Sequence, residues 1–331
     1  MTNKRTPSVA LIGCGQWGKN IARNLAQLGA LHVICDADAV RGGVMAKDLG
    51  AEFSADLSSV LSRGEIAAVA IATPAVTHAE IAGKALDAGK HIYVEKPIAL
   101  SVSDARAVAA KAKAKKLTLM TGHLLQYHPV FMHLLALVRE GKLGKVQYVY
   151  SNRLNQGRVR TEENALWSLA PHDISMILAL AGGKPRHVAA MGQAAVQPGI
   201  PDLATASFEF ASGLKAHLFC SWLNPYKEHR LAVVGDKAMA VFEDSAAKWE
   251  DKLVLYPHRV EWKGGVPEFV KAAGEAVAVA KGEPLRDEVE HFLHCVEGKT
   301  ACRTGPEEAI PVLEVLAAAQ QAMDAAKPIE L

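Results

Sequence analysis

The first 121 residues alternate short apolar runs with longer segments of helical periodicity. The runs have the length of buried strands and cover residues 8–12, 31–35, 67–72, 91–94 and 117–120. Strands separated by helices pair in parallel, with right-handed crossovers between them. Ser101 followed by Asp104 has the spacing that caps a helix start after the fifth strand. The pattern therefore predicts a doubly wound parallel sheet.

The pattern changes after Gly122, where His128 and Pro129 open an amphipathic helix that ends near Gly141. Most later apolar segments alternate like strands of a half-buried sheet, and they cover residues 146–154, 205–211, 214–222, 230–234, 238–243 and 252–256. Turn-forming residues at 211–213 and 235–237 indicate hairpins, and helices are predicted at 171–181, 288–296 and 307–325. This order predicts a large, mostly antiparallel sheet.

A glycine-rich turn follows the first predicted strand. Gly13 permits a tight bend, Gly15 lets the backbone approach a ligand, and Gly18 lets the next helix pack against the strand. The unpaired N–H groups and the dipole at the start of that helix attract a pyrophosphate. The turn therefore predicts a dinucleotide site, which Gln16 and Trp17 are expected to line.

An acidic residue ends the second predicted strand. Asp36 lies where the carboxylate of a dinucleotide-binding fold accepts hydrogen bonds from the adenosine ribose hydroxyls. A 2′-phosphate would meet like charge there, so Asp36 predicts NAD rather than NADP as the cofactor. Arg41 is close enough in sequence to keep a phosphate contact open, and we include it among the expected cofactor-binding residues.

These features predict an α/β Rossmann domain over residues 1–121, followed by an α+β domain with a large, mostly antiparallel open sheet over residues 122–331. The second domain is expected to bind substrate and to form oligomer contacts. Few helices remain to cover both faces of its sheet, so we expect a homodimer or homotetramer. The apolar residues proposed for this interface are Val149, Phe208, Leu218 and Val233.

Composition and charge narrow the range of partners. A net charge of +2 over 331 residues gives no electrostatic reason to bind nucleic acid, and no apolar run reaches the length needed to span a membrane. Five scattered cysteines without a C-x-x-C pair favour reduced thiols in the cytoplasm. His291 and His294 lie beside Cys295, but without a carboxylate partner they predict no metal site. We expect a cytoplasmic protein that acts on a small molecule.

Glu95, Lys96 and Pro97 follow directly on the fifth predicted strand, at the sheet edge where doubly wound folds bind ligands. A lysine there can hydrogen-bond a substrate hydroxyl and stabilise the alkoxide that forms as a hydride departs. The proline raises the chance of a cis peptide bond. Taken alone, such a lysine is more often a surface charge, so its context decides.

That context is a family resemblance that covers nearly the whole chain. Residues 13–18, 72–78 and 89–97, with a later helix that bears His172, resemble the glucose-fructose oxidoreductase, inositol dehydrogenase and MocA family. The resemblance implies a Rossmann domain, a second domain with an open sheet, and NAD(P)-linked oxidation or reduction of a sugar or cyclitol carbon. It further implies that Lys96 and His172 are the catalytic pair. The residues that it places along the cofactor are Thr73, Pro74, His78, Glu95 and Lys96.

The chain departs from the family pattern beside the histidine. The family has an aspartate four residues before it and a glycine two before it, where this chain has Ser168 and Ala170. A hydroxyl cannot supply the aspartate's charge, so a Lys–His–Asp triad is not expected. We interpret Pro171 as the first residue of a helix and Asp173 as a carboxylate in its first turn. A helix N-terminus would keep His172 neutral, as a proton acceptor requires.

An arginine-rich segment, residues 151–160, precedes the histidine helix. Guanidinium groups bind phosphate oxygens in pairs, so a diphosphate ligand is one interpretation and an exposed, solvated loop is the other. Together with residues 163–167 and 170–174, the segment is similar to a branch of the family that oxidises UDP-linked amino sugars, such as UDP-N-acetylglucosamine, at C3 to 3-keto sugars. The residues expected to contact this substrate are His123, Tyr127, Arg153, Asn155, Arg158, Trp167 and His172.

Two other functions fit the same sequence. A dehydrogenase of a free sugar or inositol would need no diphosphate contacts. A non-catalytic regulator could use the dinucleotide site as a sensor, since the fold does not fix the chemistry. Lys96 together with His172 favours an enzyme, because a sensor has no use for a proton acceptor beside the nicotinamide.

Overall fold

The computed structural model describes residues 6–157 and 159–331. The chain divides into two compact units. One contains the described residues up to Tyr127 together with Glu283–Leu313, and the other contains His128–Gly282 and Glu314–Leu331. The consecutive domains expected from the sequence, 1–121 and 122–331, therefore differ from the observed units at residues 122–127 and in the segment 283–313. This segment belongs to the first unit because Val289, Phe292 and Leu293 lie in its hydrophobic core.

The N-terminal part of the first unit alternates strands and helices as predicted. Its elements are β1 (Val9–Ile12), α1 (Gly18–Gln27), β2 (Leu31–Cys35), α2 (Ala39–Leu49), β3 (Glu52–Ser54), α3 (Leu57–Ser62), β4 (Ala68–Ile71), α4 (His78–Asp87), β5 (His91–Glu95), α5 (Val102–Lys115) and β6 (Leu119–Gly122). The strands form a parallel sheet in the order β3-β2-β1-β4-β5-β6. This order reverses direction between β1 and β4, which is where doubly wound sheets bind their ligands.

Local signals in this unit agree with the structure, with one omission. The Ser101 hydroxyl accepts a hydrogen bond from the Asp104 N–H at the start of α5, which confirms the predicted cap. Strand β3 was not predicted, because this edge strand is only three residues long and has no buried residue. A strand that short leaves no periodic pattern to detect.

The rest of the chain forms the second unit and the returning segment. Its elements are α6 (Pro129–Arg139), β7 (Val146–Gln156), α7 (Ala165–Ala181), β8 (His187–Gln193), β9 (Leu203–Glu209), β10 (Lys215–Ser221), β11 (Leu223–Gly235), β12 (Met239–Glu243), β13 (Leu253–Tyr256), β14 (Arg259–Lys263), β15 (Val266–Val270), β16 (Glu275–Ala276), α8 (Pro284–Val296), α9 (Pro306–Ala325) and β17 (Ile329–Glu330).

The second unit is built on a nine-stranded sheet in the order β16-β13-β12-β11-β7-β10-β9-β8-β17. Neighbouring strands pair antiparallel except β7 and β10, which pair in parallel. The turns predicted at 211–213 and 235–237 join antiparallel neighbours, β9 with β10 and β11 with β12. These pairings confirm the predicted fold class, a Rossmann domain and an α+β domain with a mostly antiparallel sheet.

One face of this sheet is covered within the unit, since α7 packs against β7, β9 and β10. The four residues proposed for a subunit interface lie on this inner side and are at most 2% exposed, namely Val149, Phe208, Leu218 and Val233. Their assignment to an interface is wrong, because apolar alternation identifies a buried face without saying what covers it. The opposite face carries Tyr148, Tyr150 and His217, which are half-buried and stack on one another.

No helix in the described part of the chain is long and apolar enough to cross a membrane.

Candidate active site

The glycine-rich turn has the geometry that a dinucleotide requires. Gly13 adopts a φ of +87°, and a Cβ there would lie 2.9 Å from the backbone of Ala72 on the neighbouring strand end. A Cβ on Gly18 would lie 2.2 Å from the Gly13 carbonyl oxygen. A Cβ on Gly15, by contrast, would meet no atom within 4 Å. Two glycines therefore close the turn, and the third keeps space open above it.

The start of α1 is suited to an anion. Its N-cap residue, Trp17, makes no capping hydrogen bond with its side chain, and the described first turn of the helix contains no acidic residue. The indole N–H of Trp17 instead donates to Glu95 Oε1 over 2.7 Å, which connects the turn to the end of β5. Helix N–H groups left without a side-chain cap bind pyrophosphate well, so these residues fit the expected dinucleotide.

Asp36 follows β2 and is 6% exposed. Its Oδ2 accepts a hydrogen bond from the Cys14 N–H, and its Oδ1 accepts bonds from the Asp38 N–H and from Arg41. Burial raises the pKa of Asp36, but these hydrogen bonds lower it by more, so the net shift is downward and the side chain is an anion. A carboxylate has about four acceptor positions, so one remains for a ribose hydroxyl.

The end of β5 carries Glu95 and Lys96, followed by Pro97. The peptide bond between Lys96 and Pro97 is cis. His78, which is 1% exposed, lies between two loops, with Nδ1 2.8 Å from the Pro97 carbonyl and Nε2 2.9 Å from the Thr73 carbonyl. His78 therefore connects the Thr73–Pro74 loop to the Lys96–Pro97 loop, and its burial indicates support for these loops rather than direct contact with a ligand.

His172 lies inside α7 rather than at its start. The helix begins at Ala165, where the Asn164 side chain accepts a hydrogen bond from the Trp167 N–H over 3.1 Å. Pro171 is an interior residue, so its assignment to the first helical position is wrong. The helix dipole acts mainly within the first turn, and the argument that it keeps His172 neutral fails with that assignment. Asn164 was the sequence signal for the true start.

Asp173 is not a first-turn carboxylate either, because it is buried in an ion pair with Arg153 of β7. Its Oδ2 accepts from Arg153 Nε over 2.5 Å, and its Oδ1 accepts from Ser151 and from a second Arg153 nitrogen at 3.3 Å. Arg153 is 7% exposed. The pair fixes the helix turn that carries His172 against the sheet. A guanidinium engaged in this way is poorly placed to bind a diphosphate.

Two of the proposed substrate residues are packed inside the first unit. His123 is 3% exposed, and its Nδ1 lies 2.5 Å from Glu308 Oε2. The Tyr127 ring lies beneath the Arg303 guanidinium, 4.8 Å from it, and its hydroxyl is 3.3 Å from that of Thr304. Both residues therefore hold the returning segment 283–313 against the sheet.

The remaining proposed substrate residues belong to the second unit. Asn155 is half-buried on β7, and the half-buried Trp167 donates its indole N–H to Gln320 over 3.0 Å. Ser168 is buried one helical turn before His172 and lies on the same side of α7. Arg158 lies outside the described residues. Within the described ranges, His, Cys, Asp and Glu side chains form no cluster that could hold a metal ion.

The sequence of each unit matches a profile of one protein family. Residues 8–123 match the oxidoreductase family with an NAD-binding Rossmann fold, and residues 131–241 match the GFO/IDH/MocA C-terminal domain.

Several known proteins are similar over most of the chain. UDP-N-acetylglucosamine 3-dehydrogenase of Acidithiobacillus ferrooxidans is 30% identical over 287 residues, which cover 86% of this chain and 87% of that protein. The NAD-dependent scyllo-inositol 2-dehydrogenase of Bacillus subtilis is 27% identical over 338 residues, which cover 97% and 95%. A solved structure of the A. ferrooxidans enzyme has a TM-score of 0.83 at 27% identity and covers 96% of this chain and 98% of that one.

The Rossmann sheet, the glycine turn and Asp36 define an NAD-binding oxidoreductase. The chain belongs to the GFO/IDH/MocA family. This confirms the family, the enzyme class and the cofactor expected from the sequence, and it makes the non-catalytic regulator the weaker interpretation.

Proposed function

We propose that this enzyme uses NAD to oxidise the C3 hydroxyl of a UDP-linked amino sugar, UDP-N-acetylglucosamine or a close relative, to a 3-keto sugar. The observation that carries the proposal is the similarity to UDP-N-acetylglucosamine 3-dehydrogenase, which extends through both units in sequence and in fold. A similarity confined to the Rossmann unit would support the cofactor only, since the second domain binds substrate in our interpretation.

In this proposal, His172 is the general base and Lys96 stabilises the developing alkoxide. His172 accepts the proton of the substrate hydroxyl, and the Lys96 ammonium donates a hydrogen bond to the oxygen as its negative charge grows. Bound NAD⁺ supplies the hydride acceptor. The carbon loses a hydride and the oxygen loses a proton, which leaves the ketone and an imidazolium that returns its proton to water.

A free sugar or inositol is the second candidate substrate, and one observation favours it. Arg153 was expected to bind the diphosphate, but it is buried and paired with Asp173. The other arginines of the segment, Arg158 and Arg160, are then our candidates for the diphosphate contacts. Arg160 is about half exposed and pairs with Glu163 over 2.8 Å, which leaves its guanidinium within reach of solvent.

We further propose that the enzyme works in the cytoplasm as a homo-oligomer. All five cysteines lie within the described chain, and each is a free thiol, which supports a reducing compartment.

A substrate panel tests the substrate class. UDP-N-acetylglucosamine, free N-acetylglucosamine and scyllo-inositol are each incubated with NAD while the absorbance of reduced nicotinamide is recorded. We expect turnover of the UDP-sugar alone. Replacing Arg158 and Arg160 together by alanine should raise KM for the UDP-sugar about ten- to a hundredfold, because charge-assisted hydrogen bonds are lost. Turnover of the inositol alone would replace our proposal by the second candidate.

Two variants test the catalytic pair against matched controls. Lys96→Ala and His172→Ala should each lower kcat at least a hundredfold, within the usual range for a lost acid–base group, and should retain most of the NAD affinity. Lys84→Ala and His187→Ala replace exposed residues of the same types and should leave kcat unchanged. Unchanged kcat in the Lys96 or His172 variant would remove that residue from the mechanism.

A further inference from the structure

A buried carboxyl group contacts β5, the strand that Lys96 directly follows. Glu288 on α8 is 0% exposed, and its Oε2 is 3.0 Å from the hydroxyl oxygen of Tyr93 on β5. The same hydroxyl oxygen is 3.1 Å from Glu95 Oε1, which also accepts the indole N–H of Trp17. Glu288, Tyr93 and Glu95 therefore form one hydrogen-bonded row that ends beside Lys96.

Counting protons in this row shows that one carboxyl is protonated. A phenol has a single O–H and can donate to only one of two carboxylates. If Glu95 and Glu288 were both ionised, one carboxylate oxygen would face the lone pairs of the Tyr93 oxygen at hydrogen-bonding distance. An additional proton on one carboxyl removes this repulsion and completes both hydrogen bonds. A carboxylic acid at one end therefore makes both oxygens, at 3.0 and 3.1 Å from the Tyr93 oxygen, hydrogen-bonded partners.

The surroundings place that proton on Glu288 rather than on Glu95. Burial raises the pKa of Glu95 as well, but the Lys96 cation, the Trp17 N–H and the Tyr93 O–H each lower it, whereas at Glu288 only the Tyr93 hydrogen bond does so. Glu95 is also partly exposed, which favours its anion. Glu288 Oε1 has no hydrogen-bond partner among the described residues. Burial, and then the charge of Glu95, raise the pKa of Glu288 well above its usual range. An unpaired buried carboxylate is far more costly than a buried neutral acid.

Among the residues that the structure describes, the elements around Glu288 offer it no compensating cation. The titratable or charged groups near it are Tyr93 and Glu95 of β5, Tyr127, Glu308 of α9, and Arg303. Arg303 lies over the Tyr127 ring and donates to the Gln126 carbonyl. The remaining groups are neutral or negative, so none of them stabilises a charge on Glu288.

We propose that Glu288 is a permanently protonated acid that donates to Tyr93, so that Tyr93 donates to Glu95 and fixes Glu95 as the anion beside Lys96. Glu288 and Tyr93 are then positioning residues that act on Lys96 through Glu95. Their effect on catalysis rests on the role proposed above for Lys96. A fixed anion next to the lysine favours its ammonium form, and only that form can donate a hydrogen bond to the alkoxide.

The backbone of β6 packs so closely against this row that no side chain fits between them. A Cβ on Gly122 of β6 would lie 2.7 Å from the Tyr93 hydroxyl oxygen and 2.9 Å from Glu95 Oε1. The glycine therefore lets the backbone of β6 cover the junction of the two hydrogen bonds. A side chain at this position would have to displace either the phenol or the carboxylate.

The first test measures stability against pH and needs no substrate. Above the usual glutamate pKa, the unfolded chain releases the Glu288 proton whereas the folded chain retains it, so this group destabilises the fold increasingly as pH rises. Glu288→Gln keeps a neutral donor of the same shape and removes the effect. From about pH 5 to about pH 8, the unfolding constant of the wild type relative to Glu288→Gln should rise about tenfold per pH unit.

The control is Glu290→Gln, which replaces an exposed carboxylate on the same helix and should show no such slope. A flat ratio for Glu288→Gln would show that Glu288 is ionised in the folded enzyme and would overturn the proposal. This outcome is independent of the substrate, so it is distinguishable from a failure of the proposed function.

The second test measures whether the hydrogen-bonded row changes the pKa of Lys96. With whichever sugar the enzyme oxidises, the basic limb of the kcat/KM profile reports the loss of the Lys96 proton. Tyr93→Phe removes the O–H that holds the Glu95 carboxylate beside Lys96, so the lysine loses part of its stabilisation by an opposite charge. This limb should therefore move to lower pH by about one unit, the low end of the effect of a nearby opposite charge. Glu288→Gln should leave the limb in place. An unmoved limb in Tyr93→Phe would show that the row does not act on the lysine.

Discussion

Asp36 is a residue whose position was evident from the sequence, although its partners were not. The carboxylate accepts two backbone N–H bonds, from Cys14 and Asp38, which hold it at the end of β2. Arg41 pairs with it over 2.7 Å while about half of the arginine side chain stays exposed. The Asp36 anion is therefore fixed in place, and the Arg41 cation is already paired with it. Both facts favour ribose hydroxyls over a 2′-phosphate as the ligand.

We predict that Asp36→Ala weakens NAD binding at least tenfold, since a hydrogen bond to a charged group contributes about 1.5–3 kcal/mol. NADP binding should change little or improve, because the like charge is gone and Arg41 is released. Calorimetric titration with both cofactors measures the difference. Asp56→Ala, which removes the cap of α3 and no contact of Arg41, is the matched control and should leave the preference unchanged. A wild-type enzyme that binds NADP more tightly than NAD would contradict the assignment.

Arg153 shows the limit of sequence reasoning at the same scale. Three arginines within a polar segment indicated a phosphate ligand, but one of them forms a buried pair with a carboxylate twenty residues along the chain. Periodicity does place Arg153 on the inner face of β7, in phase with Val149 and Ser151, and this signal was available. Because arginine is seldom buried, we interpreted Arg153 as a phosphate ligand although the periodicity placed it on the buried face.

At the scale of elements, the glycine turn joins local geometry to ligand binding. Its three glycines have different environments, so the same substitution should have different effects. Gly18 faces a backbone carbonyl that cannot move away, whereas Gly15 faces open space. Gly18 is therefore required for the fold of the turn, whereas Gly15 is required for ligand binding.

We predict that Gly15→Ala retains its melting temperature to within about 1 °C, a shift that corresponds to about half a kcal/mol. It should still lose most of its NAD affinity, because the added methyl group occupies space that the pyrophosphate requires. Gly18→Ala should instead lower the melting temperature by several degrees, because strain of about 1–3 kcal/mol enters the turn. Differential scanning calorimetry with and without NAD separates the two effects, and equal losses of stability would contradict the explanation.

Helix α7 shows how an element boundary depends on competing signals. Proline is favoured at the first helical position, and this preference led to an incorrect start at Pro171. Asn164 begins the helix instead, and the proline is kept within it although its ring crowds the preceding turn. The helix tolerates the proline because Asp173 and the buried residues around it pack the helix against β7 and β10.

At the scale of the whole molecule, the large sheet has a face that its own unit leaves partly exposed. Tyr148, Tyr150 and His217 stack there, and a concavity beside them is lined by Met239, Val241 and Tyr256 among others. This face, rather than the inner one expected from the sequence, is our proposed subunit interface. A two-fold contact would bring the same aromatic row of two copies together.

We predict a dimer or tetramer at micromolar concentration by light scattering. Tyr150→Glu places a carboxylate in the proposed interface in place of a stacked aromatic ring and should shift the enzyme to a smaller species. Tyr226→Glu alters a tyrosine that is 72% exposed and should leave the assembly unchanged. A monomeric wild-type enzyme would contradict the prediction, and an unchanged Tyr150→Glu oligomer would place the interface elsewhere.

The sequence by itself determined the fold class, the family, the cofactor and the positions of most strands. Each depends on local information: β1, β2 and β5 are recognised from their own apolar residues, and the glycine turn from its spacing. Tertiary structure decided the rest. Residues 283–313 return to the first unit, and Arg153 is buried against Asp173. Glu288 contacts Tyr93, which is 195 residues away along the chain, and through it reaches Glu95. Such pairings depend on which surfaces remain uncovered after the local elements have formed, and no spacing along one sequence records that.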